Sequence, residues 1–142
     1  MLPSPSIGRT LKVVAPARIF VLEDEFPVRM VIMEALTDAG FAATGFADGA
    51  AALEALALQR PDMIVLDMRM PRMDGFEFLN KLRANPACAS IPVIIVSGLG
   101  DELLRAINAR AAESLGVVGI FAKPFDVPTL VRYVRGSLAR GL

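Results

Sequence analysis

The sequence contains no histidine and no tryptophan, and it has a single cysteine. The lack of histidine excludes His-ligated zinc, a Ser-His-Asp triad and a phosphohistidine carrier. Cys88 has no second thiol with which to form an intramolecular disulfide or a metal pair, a pattern typical of a reducing compartment. No apolar run approaches the roughly 18 residues that span a membrane. We therefore expect a cytoplasmic protein with no membrane segment.

An excess of charge of either sign is also absent. The 15 Lys and Arg residues balance 15 Asp and Glu residues, and the pI is about 6.3. A neutral chain lacks the electrostatic footprint of a protein that binds nucleic acid through its whole surface, so no direct nucleic-acid contact is expected. The 142 residues, 54% of them hydrophobic, are enough for one compact domain that needs neither disulfides nor metal in order to fold.

Residues 1–16 contain three prolines and no usable periodicity, which predicts a flexible N-terminal tail ahead of one domain at 17–142. Within that domain, short apolar runs alternate with helical patterns. The strand candidates are 19–22, 42–46, 63–66, 93–96 and 117–121. Most of them are continuously apolar, as expected when helices cover both faces of a parallel sheet.

Each strand candidate is followed by apolar residues at helical spacing, in the stretches 28–36, 52–57, 76–82, 103–111 and 130–138. We expect Gly40 to end the first helix, and Asp74 with Gly75 to form the turn and cap before the third. Five strands that each precede a helix predict a doubly wound α/β domain with right-handed crossovers.

Polar side chains stand at the ends of four strand candidates: Glu23, Asp24 and Glu25 after the first, Asp67 after the third, Ser97 after the fourth, and Lys123 after the fifth. Ligands of such sheets bind beyond the carboxyl ends of the strands, so these groups are expected to share one crevice. Carboxylates about 4 Å apart repel by roughly 4 kcal/mol at an effective dielectric constant of 20, so the cluster needs a cation. Oxygen ligands without histidine or cysteine select a hard ion, and a site with few protein ligands suits Mg²⁺ better than Ca²⁺.

Four segments carry a family resemblance: Val-Leu-Glu-Asp-Glu, Ile-Val-Leu-Asp-Met-Arg-Met-Pro-Arg-Met-Asp-Gly, Ile-Ile-Val-Ser-Gly and Phe-Ala-Lys-Pro-Phe. Together and in this order they resemble the receiver domain of two-component response regulators, over about residues 17 to 140. The resemblance implies a flavodoxin-like (βα)5 fold with strand order 2-1-3-4-5.

The resemblance also implies roles for the strand-end residues. Asp67 is the phosphoacceptor that takes a phosphoryl group from a partner's phosphohistidine. Asp24 and Asp67 bind Mg²⁺ directly, the backbone carbonyl of Arg69 is a third ligand, and Glu23 acts through water. Lys123 neutralises the charge that develops on the phosphoryl oxygens. The sequence has Glu23 where many relatives have aspartate.

Further implied features concern the conformational switch. Ser97 is expected to bond a phosphoryl oxygen, and the Lys123–Pro124 peptide bond is expected to be cis, which aims the lysine inward. Ile120 stands where most relatives have a switching aromatic residue, so the usual aromatic rotamer change is not expected. The interval from Ser97 to Lys123 is about one helical turn longer than is usual, which predicts an extended fourth helix or helix exit.

These observations predict a single-domain, phosphoaccepting switch that is not a turnover enzyme. Its expected partners are a sensor histidine kinase or histidine phosphotransferase as donor and a downstream protein as target, with the chain itself a monomer or weak homodimer. Two alternatives stay open. One is an inactive receiver that serves as a scaffold. The other is a phosphohydrolase of the haloacid dehalogenase type, against which the arginine at position 69 argues, because that family has a proton-donating acid there.

Overall fold

The computed structural model describes residues 15–98 and 114–140. Its centre is a parallel sheet of five strands: β1 (Arg18–Leu22), β2 (Ala42–Phe46), β3 (Met63–Asp67), β4 (Val93–Ser97) and β5 (Val117–Ala122). Their spatial order is β2-β1-β3-β4-β5. The predicted fold class and strand order are therefore confirmed. Each predicted strand lies within one residue of its observed bounds.

Helices cover both faces of the sheet. Helices α1 (Phe26–Asp38) and α4 (Val127–Ala139) pack on one face, and α2 (Gly49–Leu56) and α3 (Gly75–Ala84) pack on the other; a short 3-10 helix (Pro86–Cys88) follows α3. The helix predicted at 103–111 and the predicted extension near it lie outside the described residues, as does most of the predicted tail. Within the described ranges, no helix combines the length and hydrophobicity needed to cross a membrane.

Successive apolar residues of a strand belong alternately to the two cores, one on each face of the sheet. On β3, Met63 and Val65 belong to the core beneath α1 and α4, while Ile64 and Leu66 belong to the core beneath α2 and α3. Successive side chains of a strand point to opposite faces, so a strand covered on both sides is apolar throughout. This double burial holds the strands in register and brings their carboxyl ends to a common edge.

Helix ends follow the sequence signals. The side chain of Asp74 caps α3 by accepting a hydrogen bond from the N–H of Glu77. Helix α1 ends at Asp38, and Gly40 terminates it with a φ of 97°, which is readily adopted only without a Cβ atom. The N–H of Gly40 donates to Thr37 and that of Phe41 donates to Leu36, which together form a Schellman motif. The two predicted caps are confirmed.

Arg83 connects several segments at the edge of the sheet that lies opposite the strand-end cluster. No sequence pattern indicated this role. Its Nε donates to the carbonyl of Leu115 at 2.6 Å, and its Nη1 donates to the carbonyls of Cys88 and Ala89, each at 3.1 Å. Gly116 has a φ of 71°, and a Cβ there would collide with this guanidinium group. Arg83 thus anchors the start of β5, the strand that leads to Lys123.

Candidate functional site

The parallel register gathers the polar strand ends at one edge. Glu23 follows β1 directly, Asp67 is the last residue of β3, Ser97 is the last of β4, and Lys123 follows β5. Asp67 pairs with Val96 on the adjacent strand β4, so Asp67 and Ser97 are offset by one residue in the register of the two strands. The structure therefore brings together groups that are widely separated in the sequence.

Three carboxylates form the centre of this edge. Glu23, Asp24 and Asp67 each offer an oxygen atom, and these three atoms all lie within 4.8 Å of one another. Glu23 and Asp67 are buried, whereas Asp24 is exposed and open to solvent. Three like charges at this spacing favour a divalent cation, and oxygen donors with one solvent-facing carboxylate suit an ion such as Mg²⁺ that keeps several waters. The donor set therefore fits Mg²⁺.

Lys123 is the ammonium group of the cluster. Its Nζ lies 2.7 Å from Glu23 Oε1, 3.4 Å from Asp67 Oδ2 and 3.6 Å from Glu25 Oε1. Burial acts to lower the pKa of Lys123, but the close contact with Glu23 and the charges of Asp67, Glu23 and Glu25 outweigh it and raise that pKa. Lys123 therefore stays charged and partly neutralises its three acidic partners, Glu23, Glu25 and Asp67.

Asp67 is unusually easy to protonate in this environment. Burial, and next the negative charge of Glu23, raise its pKa from 3.8 to about 7. The hydrogen bond from the N–H of Arg69 to Asp67 Oδ1, at 3.2 Å, and the charge of Lys123 act in the opposite direction. Near neutral pH the carboxylate is therefore poised between its two protonation states, and a nearby cation favours the ionised one.

The turn after β1 is held by contacts that sequence reasoning missed. The N–H of Glu23 donates to Phe46 on β2 at 3.0 Å. Arg29 Nη1 on α1 donates to the Glu23 carbonyl at 2.7 Å, and its guanidinium lies over the ring of Phe26. An arginine in the first turns of an amphipathic helix is usually solvated, so no signal in the sequence marked Arg29 as support for the site.

The remaining predicted residues surround the same edge. Ser97 is fully buried, and its carbonyl accepts a hydrogen bond from the N–H of Lys123 at 2.8 Å. The Lys123–Pro124 peptide bond is cis. The Arg69 residue is exposed next to Asp67. Ile120 is half-buried against the core beneath α2 and α3, whereas its neighbour Phe121 packs on the opposite face.

An open crevice of about 280 Å³ leads from solvent into the cluster. Its lining is formed by Asp24, Glu25, Asp67, Arg69, Gly98 and Lys123. The crevice thus joins the acidic cluster, the ammonium group and the end of β4. A small anionic group that enters it would contact the Asp67 carboxylate and Lys123 together.

Mg²⁺ is expected to stabilise the folded protein, because binding to the native state alone shifts the unfolding equilibrium. At an ion concentration of one hundred times Kd the gain is about 2.7 kcal/mol. Urea denaturation with saturating Mg²⁺ and with EDTA measures it. Asp24→Ala should lose most of this response, whereas Asp38→Ala, at the exposed end of α1, should keep it. An Asp24→Ala protein that responds like the wild type would exclude Asp24 as a ligand.

Comparisons with known proteins agree with this geometry. The family model described as the response regulator receiver domain matches residues 19–135. The chain is 33% identical over 110 residues to sporulation initiation phosphotransferase F of Bacillus subtilis, which covers 78% of this chain and 84% of that protein. It is 36% identical over 121 residues to the DNA-binding transcriptional regulator NtrC of Escherichia coli K12; that match covers 85% of this chain and only 24% of NtrC.

Solved structures show the same likeness. The chemotaxis protein CheY4 of Vibrio cholerae superposes with a TM-score of 0.74 at 28% identity, over 90% of this chain and all of that one. A response regulator receiver protein from Pseudomonas putida superposes with a TM-score of 0.76 at 28% identity, over 87% of this chain and 99% of that one. The likeness thus extends over most of the chain.

Proposed function

The chain belongs to the response regulator receiver family, and we propose that it is a phosphoaccepting switch in which Asp67 takes a phosphoryl group from a partner's phosphohistidine. The observation that carries this proposal is the buried Asp67 carboxylate, which opens onto the crevice beside Lys123 and two further acids. The donor is a sensor histidine kinase or a histidine phosphotransferase. The modified state acts on a downstream protein.

Asp67 is the nucleophile of the transfer. A carboxylate oxygen of Asp67 forms a bond to phosphorus while the bond from phosphorus to the donor imidazole nitrogen breaks, and the electron pair of that bond leaves with the nitrogen. A carboxylate is a weak nucleophile, so the protein must supply positioning and charge neutralisation. Lys123 places a positive charge beside the oxygens of the transferring group, where negative charge is greatest.

Asp24 and Asp67, together with the backbone carbonyl of Arg69, would hold Mg²⁺. When bound there, the ion supplies further neutralisation of the phosphoryl oxygens and keeps the Asp67 carboxylate ionised. Ser97 is the last residue of β4 and follows Val96, the residue that pairs with Asp67, and its hydroxyl bonds a phosphoryl oxygen after transfer. Because Ile120 has no ring, the change that follows in this protein does not use an aromatic residue at that position.

The protein takes part in its own phosphorylation and dephosphorylation and is not a turnover enzyme. A phosphohydrolase of the haloacid dehalogenase type needs an acid two positions after its nucleophile to protonate the leaving group. Arg69 occupies that position here, and a guanidinium group does not donate such a proton. The phosphohydrolase alternative therefore has no proton donor at this position.

Incubation with acetyl phosphate and Mg²⁺ tests the proposal by intact-mass spectrometry. We expect the mass gain of a single phosphoryl group, which EDTA abolishes, because Asp67 needs charge neutralisation to accept the group. A generic phosphomonoester such as p-nitrophenyl phosphate should not be turned over. No mass gain in the presence of Mg²⁺ would point instead to an inactive scaffold, and the turnover of many equivalents of phosphomonoester would point to a hydrolase.

A further inference from the structure

The nearest partner of Lys123 is not the phosphoacceptor. The Glu23 Oε1 atom lies 0.7 Å closer to Lys123 Nζ than Asp67 Oδ2 does, at 2.7 Å against 3.4 Å. The Glu23 side chain is completely buried, whereas that of Glu25, at 3.6 Å, is 63% exposed. Opposite charges interact more strongly at short range and away from water. Lys123 Nζ also donates a hydrogen bond to Asp67 Oδ2, and the Asp67 side chain is buried as well. Glu23 is therefore the nearest of the three partners of the ammonium group.

The rest of Glu23 is held by its own turn. Its N–H donates a hydrogen bond to the carbonyl of Phe46, and its carbonyl accepts one from Arg29. Its Oε2 accepts a hydrogen bond from the N–H of Glu25 at 3.1 Å. The other oxygen, Oε1, is buried and has no hydrogen bond of regular geometry to any described residue; its close contact is the ion pair with Lys123. A buried carboxylate oxygen needs such a partner to offset its lost hydration.

We propose that Glu23 is a positioning residue that holds the ammonium group of Lys123 beside Asp67, before and after Asp67 is modified. Its part in phosphoryl transfer rests on the proposed function. Glu23 Oε1 is not consumed when Asp67 becomes an acyl phosphate, so Lys123 keeps a fixed partner at the crevice. An aspartate at position 23 would be shorter by one carbon–carbon bond, about 1.5 Å. The extra methylene of Glu23 therefore gives this carboxylate its reach to the lysine.

Two double-mutant cycles test the pairing in EDTA and without a phosphodonor. Unfolding constants are measured by urea denaturation for Glu23→Gln, Lys123→Met and their combination, and for Asp67→Asn, Lys123→Met and their combination. We expect the coupling between Glu23 and Lys123 to change the unfolding constant about tenfold, and the coupling between Asp67 and Lys123 to be several-fold smaller. Glu23→Met, which also removes the charge, replaces Glu23→Gln if the latter does not fold. A coupling at Asp67 that equals or exceeds that at Glu23 overturns the proposal.

A rate measurement separates positioning from metal binding. Glu23→Asp keeps the negative charge but shortens the side chain that contacts Lys123. We expect acetyl phosphate to modify this variant about tenfold more slowly than the wild type. The Mg²⁺ concentration that gives half the maximal rate should stay unchanged. Glu34→Asp, exposed on α1, controls for the shortening of a glutamate and should react like the wild type. A wild-type rate for Glu23→Asp overturns the proposal. A rise in the half-saturating Mg²⁺ concentration that accounts for the whole rate loss also overturns it.

The two proposals fail separately. If the wild-type protein accepts no phosphoryl group, the proposed function is wrong, and the cycles still decide the pairing because they use neither donor nor metal. If the wild-type protein is modified but the cycles show no coupling at Glu23, the proposed function stands and the positioning role is wrong.

Discussion

Replacing Asp67 with asparagine is expected to abolish modification by acetyl phosphate and, without metal, to stabilise the fold at pH 8. The amide is far less nucleophilic than a carboxylate, so intact-mass spectrometry should show no phosphoryl gain. Urea denaturation in EDTA measures the second effect. We expect the free energy of unfolding to rise by roughly 2 kcal/mol, because the substitution removes a buried negative charge that faces Glu23.

The stability gain should depend on pH in a definite direction. The pKa of Asp67 is about 7 in the folded protein and near 4 in an unfolded chain. Between these values the unfolded state has released the proton that the folded state still holds, so the contribution of Asp67 to wild-type stability falls as pH rises from about 4 to 7 and then levels off. A pKa difference of about three units, at about 1.4 kcal/mol per unit, sets the upper limit of this loss at roughly 4 kcal/mol; this limit is the ceiling on the gain from Asp67→Asn. The asparagine amide must itself be desolvated, which keeps the expected gain below that ceiling.

Asp48→Asn is the matched control. Asp48 caps α2, is not part of the acidic cluster, and an asparagine caps a helix about as well. It should accept the phosphoryl group like the wild type and change stability by less than about 0.5 kcal/mol. Two results would contradict the assignment of Asp67: full modification of the Asp67→Asn protein at another residue, or lower stability than the wild type at pH 8 in EDTA.

Gly75→Ala is expected to destabilise the protein by about 2 to 3 kcal/mol and to slow phosphorylation. A Cβ at position 75 would lie 2.7 Å from the Cα of Met68 and 3.0 Å from the carbonyl oxygen of Asp67. Both are backbone atoms at or next to Asp67, so relief of the overlap must move the segment that presents the Asp67 carboxylate. Urea denaturation and the initial rate of modification measure the two effects.

Gly49→Ala provides the comparison for Gly75→Ala. Each glycine is the first residue of a helix and follows a capping aspartate. A Cβ at Gly49 would instead approach the Sδ of Met73 at 2.7 Å, near the end of a flexible side chain that can turn away. We expect a loss of at most about 1 kcal/mol and a normal rate of modification. Equal losses for the two variants would show that backbone crowding behind Asp67 is not the cause.

Much of the fold was predictable because the signals are local. The continuous apolar runs of β3 and β4, the helical spacing after each strand, and the turn residues Gly40 and Asp74 all act within a few residues of where they stand. The same locality identified the site, because polar residues at the ends of buried strands must meet at one edge of a parallel sheet. Neither step required knowledge of any side-chain contact.

Contacts between distant segments were not predictable in this way. Arg29 and Arg83 look like solvated helix arginines in the sequence, yet one supports the Glu23 backbone and the other joins α3 to the start of β5. The pairing of Lys123 with Glu23 was missed for the same reason. Whether a lysine meets a glutamate or an aspartate across a crevice depends on differences of about an ångström in side-chain reach, which residue identity alone does not specify.

The amino-acid sequence by itself determined that this protein is a five-stranded α/β domain with four acids, a serine and a lysine at its strand ends, because hydrophobic periodicity and strand termini are encoded residue by residue. Only the tertiary structure decided which of these charges touch, how deeply each is buried and how far the pKa of Asp67 rises. Those properties arise from the packing of segments far apart in the chain, where small distances and the exclusion of water set the energies.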